Sequence, residues 1–382
     1  MASSDSEDER SIITYYFTRG FKYDSIVEFL EKYHNIKMSV RTLKTRLRQY
    51  DLKRKQPSYD LDHVRERICQ ELSGPGSQKG YRSMCHTLRL ENIQVPRHVV
   101  AQLMREIDPN GCEQRKSRRL TRRKYLSPGP NFTWHVDGYD KLKPYGFPIH
   151  GCIDGWSRRI MWLRVTRTNN DPQVVASFYL DCVDKLGGCP VNLRTDCGTE
   201  NGIMAGMQCE FRQDIAAHKY GSSPANQRIE GWWSFFRRST SNWWIDFFKG
   251  LIYQGVFNHG NQLQMECIWF CFSGLIQTDL DQLIEHWNSH FIRASGYNTI
   301  SGRPDELYLI PERHGGDSNL IVPVTDAHFA TVQDMCTDVK PTIQQEYFAH
   351  VLENSTLELP KDWEEALTLY NSLLKIAAQG HP

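Results

Sequence analysis

The sequence predicts an α/β core, a mixed sheet with flanking helices, preceded by all-helical units and followed by a helical tail. Three observations lead there. Residues 132–137, 146–153 and 158–165 are short runs rich in β-branched and aromatic residues, split by Gly, Pro and Ser-Arg turns, the pattern of three antiparallel strands. A helical run at 172–186, a brief apolar run at 190–195 and a long helix from about residue 225 follow, the element order of an α/β layer. Before residue 130 the apolar residues recur at helical spacing instead. With 382 residues, 40% hydrophobic and 12% aromatic, the chain can build more than one core. The divisions expected are 1–56, 60–110, 111–130, 131–314 and 315–382.

Residues 11–55 read as three short helices. The second, over 24–34, carries Ile26, Val27, Leu30 and Tyr33 at helical spacing, and Ser39 is placed to cap the third. In that third helix Val40, Leu43 and Leu47 form an apolar stripe, while Arg41, Lys44 and Arg48 decorate the rest. This is the pattern of a helix-turn-helix whose last helix enters a major groove. A second all-helical unit repeats the design with Val64, Ile68 and Leu72, then Tyr81, Met84 and Leu88, then Val99, Val100, Leu103, Met104 and Ile107.

The net charge of +1 hides an asymmetry. Residues 1–130 hold 26 Lys and Arg against 16 Asp and Glu, net +10, leaving 20 against 29, net −9, for the remainder. A basic half points to a polyanion such as DNA. Its densest stretch, 115–124, is seven parts in ten basic and includes Arg118, Arg119, Arg122 and Arg123. A nuclear localisation signal, a clamp on the phosphate backbone and a solvated linker all fit that run. The eleven cysteines form no CxxC pair and no Cys/His quartet, so neither a disulfide framework nor a zinc finger is indicated. The first ten residues are acidic and the longest apolar stretch, 267–276, is too short to span a bilayer, so no membrane association and a reducing, nuclear location are expected.

Three acids carry the chemistry. Asp137 lies in Phe132-Thr-Trp-His-Val-Asp-Gly138, Asp196 in Leu193-Arg-Thr-Asp-Cys-Gly-Thr-Glu-Asn201, and Glu230 in Pro224-Ala-Asn-Gln-Arg-Ile-Glu230. The first two follow β-like runs and the third lies on a helix, so residues distant in sequence can meet at one edge of a sheet. Glycines after Asp137 and near Asp196 permit tight turns and close approach of a ligand. Hard divalent ions take oxygen ligands, and three carboxylates leave coordination positions for water and phosphate. Two Mg²⁺ or Mn²⁺ ions so held can activate an attacking oxygen and stabilise a leaving one in phosphodiester chemistry. Asp154 is the best substitute ligand. Arg228 and Arg237 are candidates for touching phosphate beside the acids, and the dense aromatics after Glu230 read as core.

These residues resemble the catalytic core of retroviral-type integrases and the related DDE transposases of the RNase H-like superfamily. Trp134-His-Val-Asp137 looks like the family's first-strand motif, and Cys152-Ile-Asp-Gly-Trp-Ser-Arg158 like its second-strand Asp and Ser-Arg turn. Thr195-Asp-Cys-Gly-Thr-Glu200 is similar to the Asp-Asn-Gly-Thr-Glu signature, and Pro224-Ala-Asn226 with Glu230 to the Pro-x-Asn-x-x-x-Glu helix start. Trp287-Asn288, Arg293 and Gly302-Arg-Pro-Asp-Glu-Leu-Tyr308 look like the end of such a core. The resemblance spans roughly 131–312 and implies Asp137, Asp196 and Glu230 as catalytic metal ligands. Upstream, Gly80-Tyr-Arg-Ser-Met84 and 99–105 look like the second helical domain of insertion-sequence transposases. No His-His-Cys-Cys zinc module precedes the core and no clear β-barrel follows it, which favours a transposon-type or host-domesticated relative.

The expected activity is metal-dependent DNA strand transfer: hydrolysis of a phosphodiester, then attack of the freed 3′-hydroxyl on target DNA by a homo-oligomer that joins two ends. A domesticated DNA- or chromatin-binding protein without transposition and a simple metal nuclease are the competing expectations.

Overall fold

The computed structural model describes residues 2–54, 59–114, 127–221, 226–294, 300–337 and 340–379. The chain opens with α1 (Ala2–Thr18), α2 (Tyr23–His34) and α3 (Val40–Gln49). The first begins earlier than the apolar pattern indicates, because residues 2–10 are mostly polar and acidic and carry no helical stripe of their own. Ser39 does cap α3, accepting the Thr42 amide at 3.1 Å, and Leu43 and Leu47 are buried with Ile13, Phe17, Phe29 and Leu30. A second unit comprises α4 (Leu61–Ser73), α5 (Tyr81–Leu90), α6 (Arg97–Ile107) and the short α7 (Pro109–Gln114) around Val64, Ile68, Met84, Leu88 and Leu103.

The α/β portion contains β1 (Thr133–Tyr139), β2 (Ile149–Asp154), β3 (Ile160–Val165), α8 (Pro172–Leu186), β4 (Gly188–Cys189), β5 (Asn192–Thr195), α9 (Gly202–Arg212), β6 (His218–Tyr220), α10 (Gln227–Phe236), α11 (Asn242–Tyr253), α12 (Gln262–Ser289) and α13 (Pro304–Leu309). Five strands form one mixed sheet in the order β3-β2-β1-β5-β6. The pairs β3/β2 and β2/β1 are antiparallel, and β1/β5 and β5/β6 are parallel. The expected antiparallel start and helix 172–186 are present, whereas α9 and β6 were not legible.

Side chains alternate across β1 and assign each face its partner. Trp134 and Val136 join Tyr179, Leu193, Met204 and Phe211 beneath α8 and α9. Tyr139 faces the other way, into a larger cluster with Trp232, Trp233, Phe236, Phe248 and Phe272 of α10–α12. Trp232, Phe236, Phe248 and Phe272 are no more than 2% exposed, so the aromatics after Glu230 are packing, as expected from their density.

The tail adds β7 (Val322–Pro323), α14 (Asp326–Val332), α15 (Ile343–Glu353) and α16 (Trp363–Gln379). It is no separate appendage. Strand β7 pairs with β4, and Phe348, Val351, Leu369, Tyr370 and Leu373 complete the cluster around α12, so the division expected at 315 is not a packing boundary. The amino-terminal helices also dock on the core: Ile310 enters their cluster, Ser25 Oγ donates to Glu306 Oε1 at 2.8 Å, and Arg303 donates to the Gly20 carbonyl at 2.6 Å.

Candidate active site

Strand geometry places the first two acids. The parallel register pairs Trp134 with Leu193 and His135 with Arg194, so two positions further along each chain come Asp137 and Asp196, on adjacent β1 and the end of β5. By the alternation of β1, Asp137 shares a face with His135 and Tyr139, opposite to that of Trp134 and Val136. That face is covered by α10.

Helix α10 is pinned there by three contacts spaced along one side. Asn226, just before the helix and 1% exposed, donates from Nδ2 to the Val136 carbonyl at 2.8 Å. Its Oδ1 is therefore the acceptor, and His135 Nδ1 donates to it at 2.8 Å. Burial pushes the His135 pKa down to about 3, so the ring is a neutral, oriented prop. One helical turn on, Glu230 lies in the first turn of α10, where the helix dipole favours negative charge. Another turn on, Trp233 Nε1 donates to Asp137 Oδ2 at 2.9 Å. Residues 226, 230 and 233 follow the i, i+4, i+7 pattern of one helix face. Tyr139 continues the contact, its ring 5.1 Å from Trp233 and its hydroxyl 2.7 Å from Ser241 Oγ.

Gly151 makes room for this arrangement. It pairs with Asp137 across β1/β2, and a Cβ there would lie 2.8 Å from the Trp233 ring and 2.7 Å from Leu163. The missing side chain lets the indole reach the carboxylate. Asp196 is held separately: Asn201 Nδ2 donates to its Oδ1 at 2.8 Å and the Gly198 amide at 3.2 Å. Asn201 also donates to Glu200 Oε1 at 3.3 Å, so two carboxylates flank one amide.

The electrostatics tie the acids together. Partial burial raises the Asp137 pKa to about 7, and the negative charges of Glu230 and then Asp196 add to the rise, against the Trp233 hydrogen bond that lowers it. All three side chains are half-buried. Among the described residues, no three His, Cys, Asp or Glu side chains already converge as a ligand set. The acids are thus electrostatic neighbours rather than a closed cage. Their chemistry fits a hard divalent cation: the donors are all oxygen, and positive charge between them would offset the burial and repulsion that raise the Asp137 pKa.

Asp154 does not serve as a substitute. It pairs with Trp134, about 10 Å along the strand from Asp137. Its Oδ1 accepts the Asn131 amide at 2.7 Å, and its Oδ2 accepts the Ser157 amide and hydroxyl, both at 2.7 Å. It is a fully buried turn-former.

Residues 124–309, just under half of the chain, match the integrase core domain family. This segment is similar to integrase core domains. No curated protein sequence matches the chain. The match covers the whole five-stranded sheet and helices α8–α13, so the mixed-sheet part of the fold is the part similar to an integrase core, a similarity that supports a function of the polynucleotidyl-transferase type.

Of the basic residues singled out, Arg41, Lys44 and Arg48 are exposed on α3, with Lys44 also 5.6 Å from the Tyr23 ring. Arg228 is near enough to His135 to help lower its pKa. Arg237 is exposed at the end of α10, where a π-helical turn, Arg237–Ser241, leads into α11. Arg118, Arg119, Arg122 and Arg123 lie outside the described residues. Sequence reasoning missed Trp233 as a donor to Asp137 and Asn201 as the support of Asp196. The first was readable as a polar-tipped aromatic three residues after Glu230; the second had no periodic signal. No described helix is long and apolar enough to cross a membrane.

Proposed function

We propose that the chain is a divalent-metal-dependent DNA strand transferase that hydrolyses a phosphodiester and joins the freed 3′-hydroxyl to target DNA. The observation that carries this reading is that Asp137 on β1, Asp196 just past β5 and Glu230 on α10 are electrostatic neighbours, the charges of the last two opposing the ionisation of the first, within a segment that matches the integrase core family. Asp137, Asp196 and Glu230 are the residues that would hold two Mg²⁺ or Mn²⁺ ions. Bound there, such ions supply Lewis-acid stabilisation of the attacking and leaving oxygens in an in-line displacement.

The chain's own residues do the positioning. Trp233 aims Asp137, Asn201 and the Gly198 amide hold Asp196, and Asn226 sets the start of α10 so that Glu230 faces β1. The carboxylates hold charge in place and are not general bases. Around them Arg228 and Arg237 contact phosphate. Helices α2 and α3 act as a helix-turn-helix, with Arg41, Lys44 and Arg48 turned outward, away from buried Leu43 and Leu47, toward the major groove. The arginines of the 115–124 run add backbone contacts and a nuclear address. Joining two DNA ends calls for a homo-oligomer.

The test is cleavage and joining of labelled duplexes taken from DNA flanking the gene, with Mg²⁺, with Mn²⁺ and with a chelator. Wild type is expected to yield joined products, and Asp196→Asn none, with folding and DNA binding kept. Joined products from Asp196→Asn would sink the assignment. Shortened strands without joining would indicate a nuclease, and inert wild type with intact DNA binding would indicate a domesticated binding protein.

A further inference from the structure

A cleft of ≈810 Å³ opens where both amino-terminal helical units meet the integrase core, away from the three acids. Its wall carries six cationic side chains from five places in the fold: Lys22 at the start of α2, Arg82 and Arg89 on α5, Arg97 on α6, Arg293 after α12, and Arg303 before α13. Among the described residues no Asp or Glu lines it.

That imbalance is local rather than a property of the helical unit. Arg65 in the same unit is paired with Glu106 at 2.8 Å, Arg67 with Glu71 at 2.9 Å and Lys79 with Glu71 at 2.5 Å. Among the described residues Arg82, Arg89 and Arg97 have no carboxylate partner. The cations are also crowded. Gly20, in the left-handed region at φ 78, lies so close that a Cβ would be 3.1 Å from Arg89 Nη1 and 3.5 Å from Arg303 Nη2. Burial, with the neighbouring charges of Arg97 and Arg54, lowers the Arg89 pKa; burial, Arg89 and Arg54 lower that of Arg303 to about 10. Arg303 has one acid nearby, Glu306 at 3.8 Å, yet its buried Nε has no hydrogen-bond partner. Both guanidinium groups remain cationic at neutral pH, held together at a cost that a bound anion relieves.

The floor gives no competing charge. His86 and His286 stack edge to face at 4.8 Å and hydrogen-bond to Ser289 and Ser83, and burial holds both neutral. Phe235 of α10 also lines the cleft. It lies five residues beyond Glu230, some 140° round the helix, so the cleft is on the far side of α10 from the acids. A helix with its side chains is about 10 Å across, or about three base-pair steps of a duplex. Four of the cations, Lys22, Arg82, Arg97 and Arg293, are exposed around the rim, while Arg89 and Arg303 are deeper. A rim of cations drawn from three parts of the fold suits a strand passing across better than a small molecule enclosed within.

We propose that this cleft is a second DNA-contacting site, which grips the phosphate backbone of the substrate across α10 from the three acids. The proposal rests on the strand-transferase reading for the identity of its polyanion. Arg97 and Arg293 supply rim contacts, Arg89 and Arg303 the inner ones, and the grip is independent of base sequence because every partner is a phosphate.

The test is fluorescence anisotropy of a labelled random-sequence duplex with the full chain, in chelator, from 50 to 300 mM salt. Arg97→Gln/Arg293→Gln, altering exposed side chains only, is expected to weaken binding about tenfold and to lower the slope of log affinity against log salt by about 2. Arg65→Gln, outside the cleft, is expected to change neither. In wild type, bound duplex is expected to protect Arg82, Arg97 and Arg293 from phenylglyoxal while Arg65 reacts. Unchanged affinity and slope in the double variant, or no protection, overturns the proposal. So does a thermal shift of wild type with inositol hexakisphosphate, lost in the double variant, while duplex binding is unaffected: the cleft then takes a free polyphosphate. Because the assay needs no metal and no turnover, loss of binding in the cleft variant from a chain inert in strand transfer would leave the cleft standing and remove only the catalytic reading.

Discussion

Trp233 links the helix bearing Glu230 to the strand bearing Asp137 through one indole N–H, and that bond opposes the burial and repulsion that favour protonated Asp137. Trp233→Phe keeps most of the packing and removes the donor. The Asp137 carboxyl is then expected to titrate higher, by about one unit for a hydrogen bond to a charged group, and the rising limb of the pH–activity profile to move up with it. A profile that keeps its midpoint would show that this bond does not govern Asp137. Gly151→Ala tests the same contact from the other strand. Its Cβ would meet Trp233 at 2.8 Å, so the ring must shift, with a stability loss of about 1–3 kcal/mol in urea unfolding and a fall in activity.

At the scale of elements, α12 carries a part-buried carboxyl, Asp279, which accepts from Trp244 Nε1 of α11 at 2.9 Å. Burial raises its pKa to about 7. Between about pH 4 and 7 the folded chain holds this proton and the unfolded chain does not, so stability falls as pH rises through that window. Asp279→Asn keeps an acceptor for Trp244 and removes the charge. At pH 8 it is expected to be more stable than wild type by about 2 kcal/mol, less than the full shift implies because the side chain is only part-buried, with no gain near pH 4. A pH-independent difference in melting temperature would rule this out. The elements readable in the sequence were those with strong period: β1–β3, α8 and α12. Strand β6 is three residues at the sheet edge, too short for alternation to register, and α9 follows glycine-rich turns that mask its apolar face. Of the candidate site, the placement of Asp196 just past a strand and of Glu230 at a helix start was legible because such positions have sequence signals, whereas β1 runs two residues past Asp137, where the apolar pattern stops. What holds them was not, because Gly151, Asn201 and Trp233 act through contacts between elements.

Across the whole molecule, the core is closed by segments far from it in sequence. The sequence reads the tail as helical without indicating a partner for α15 and α16, which proves to be α12. Leu369→Ala, at a position 4% exposed, is expected to cost about 2–5 kcal/mol and to lower the single unfolding transition of the core. Separate melting of the tail, with the core unaffected, would contradict its role as part of that core. The first helical unit meets the core through Glu306, Arg303 and Ile310, and the second through hydrogen bonds of Ser83 to His286 and of His86 to Ser289, so DNA gripped by either unit would be held in fixed relation to the three acids.

The most direct measurement needs no knowledge of the DNA ends: titration of the full chain with Mn²⁺, read by electron paramagnetic resonance, for wild type, Asp137→Asn, Asp196→Asn and Glu230→Gln. Bound Mn²⁺ in wild type, weakened at least about tenfold in each variant, is the expected result, since each amide removes a charged oxygen ligand from one shared site. Equal Mn²⁺ binding by wild type and all three variants would contradict the assignment of these acids as the metal site.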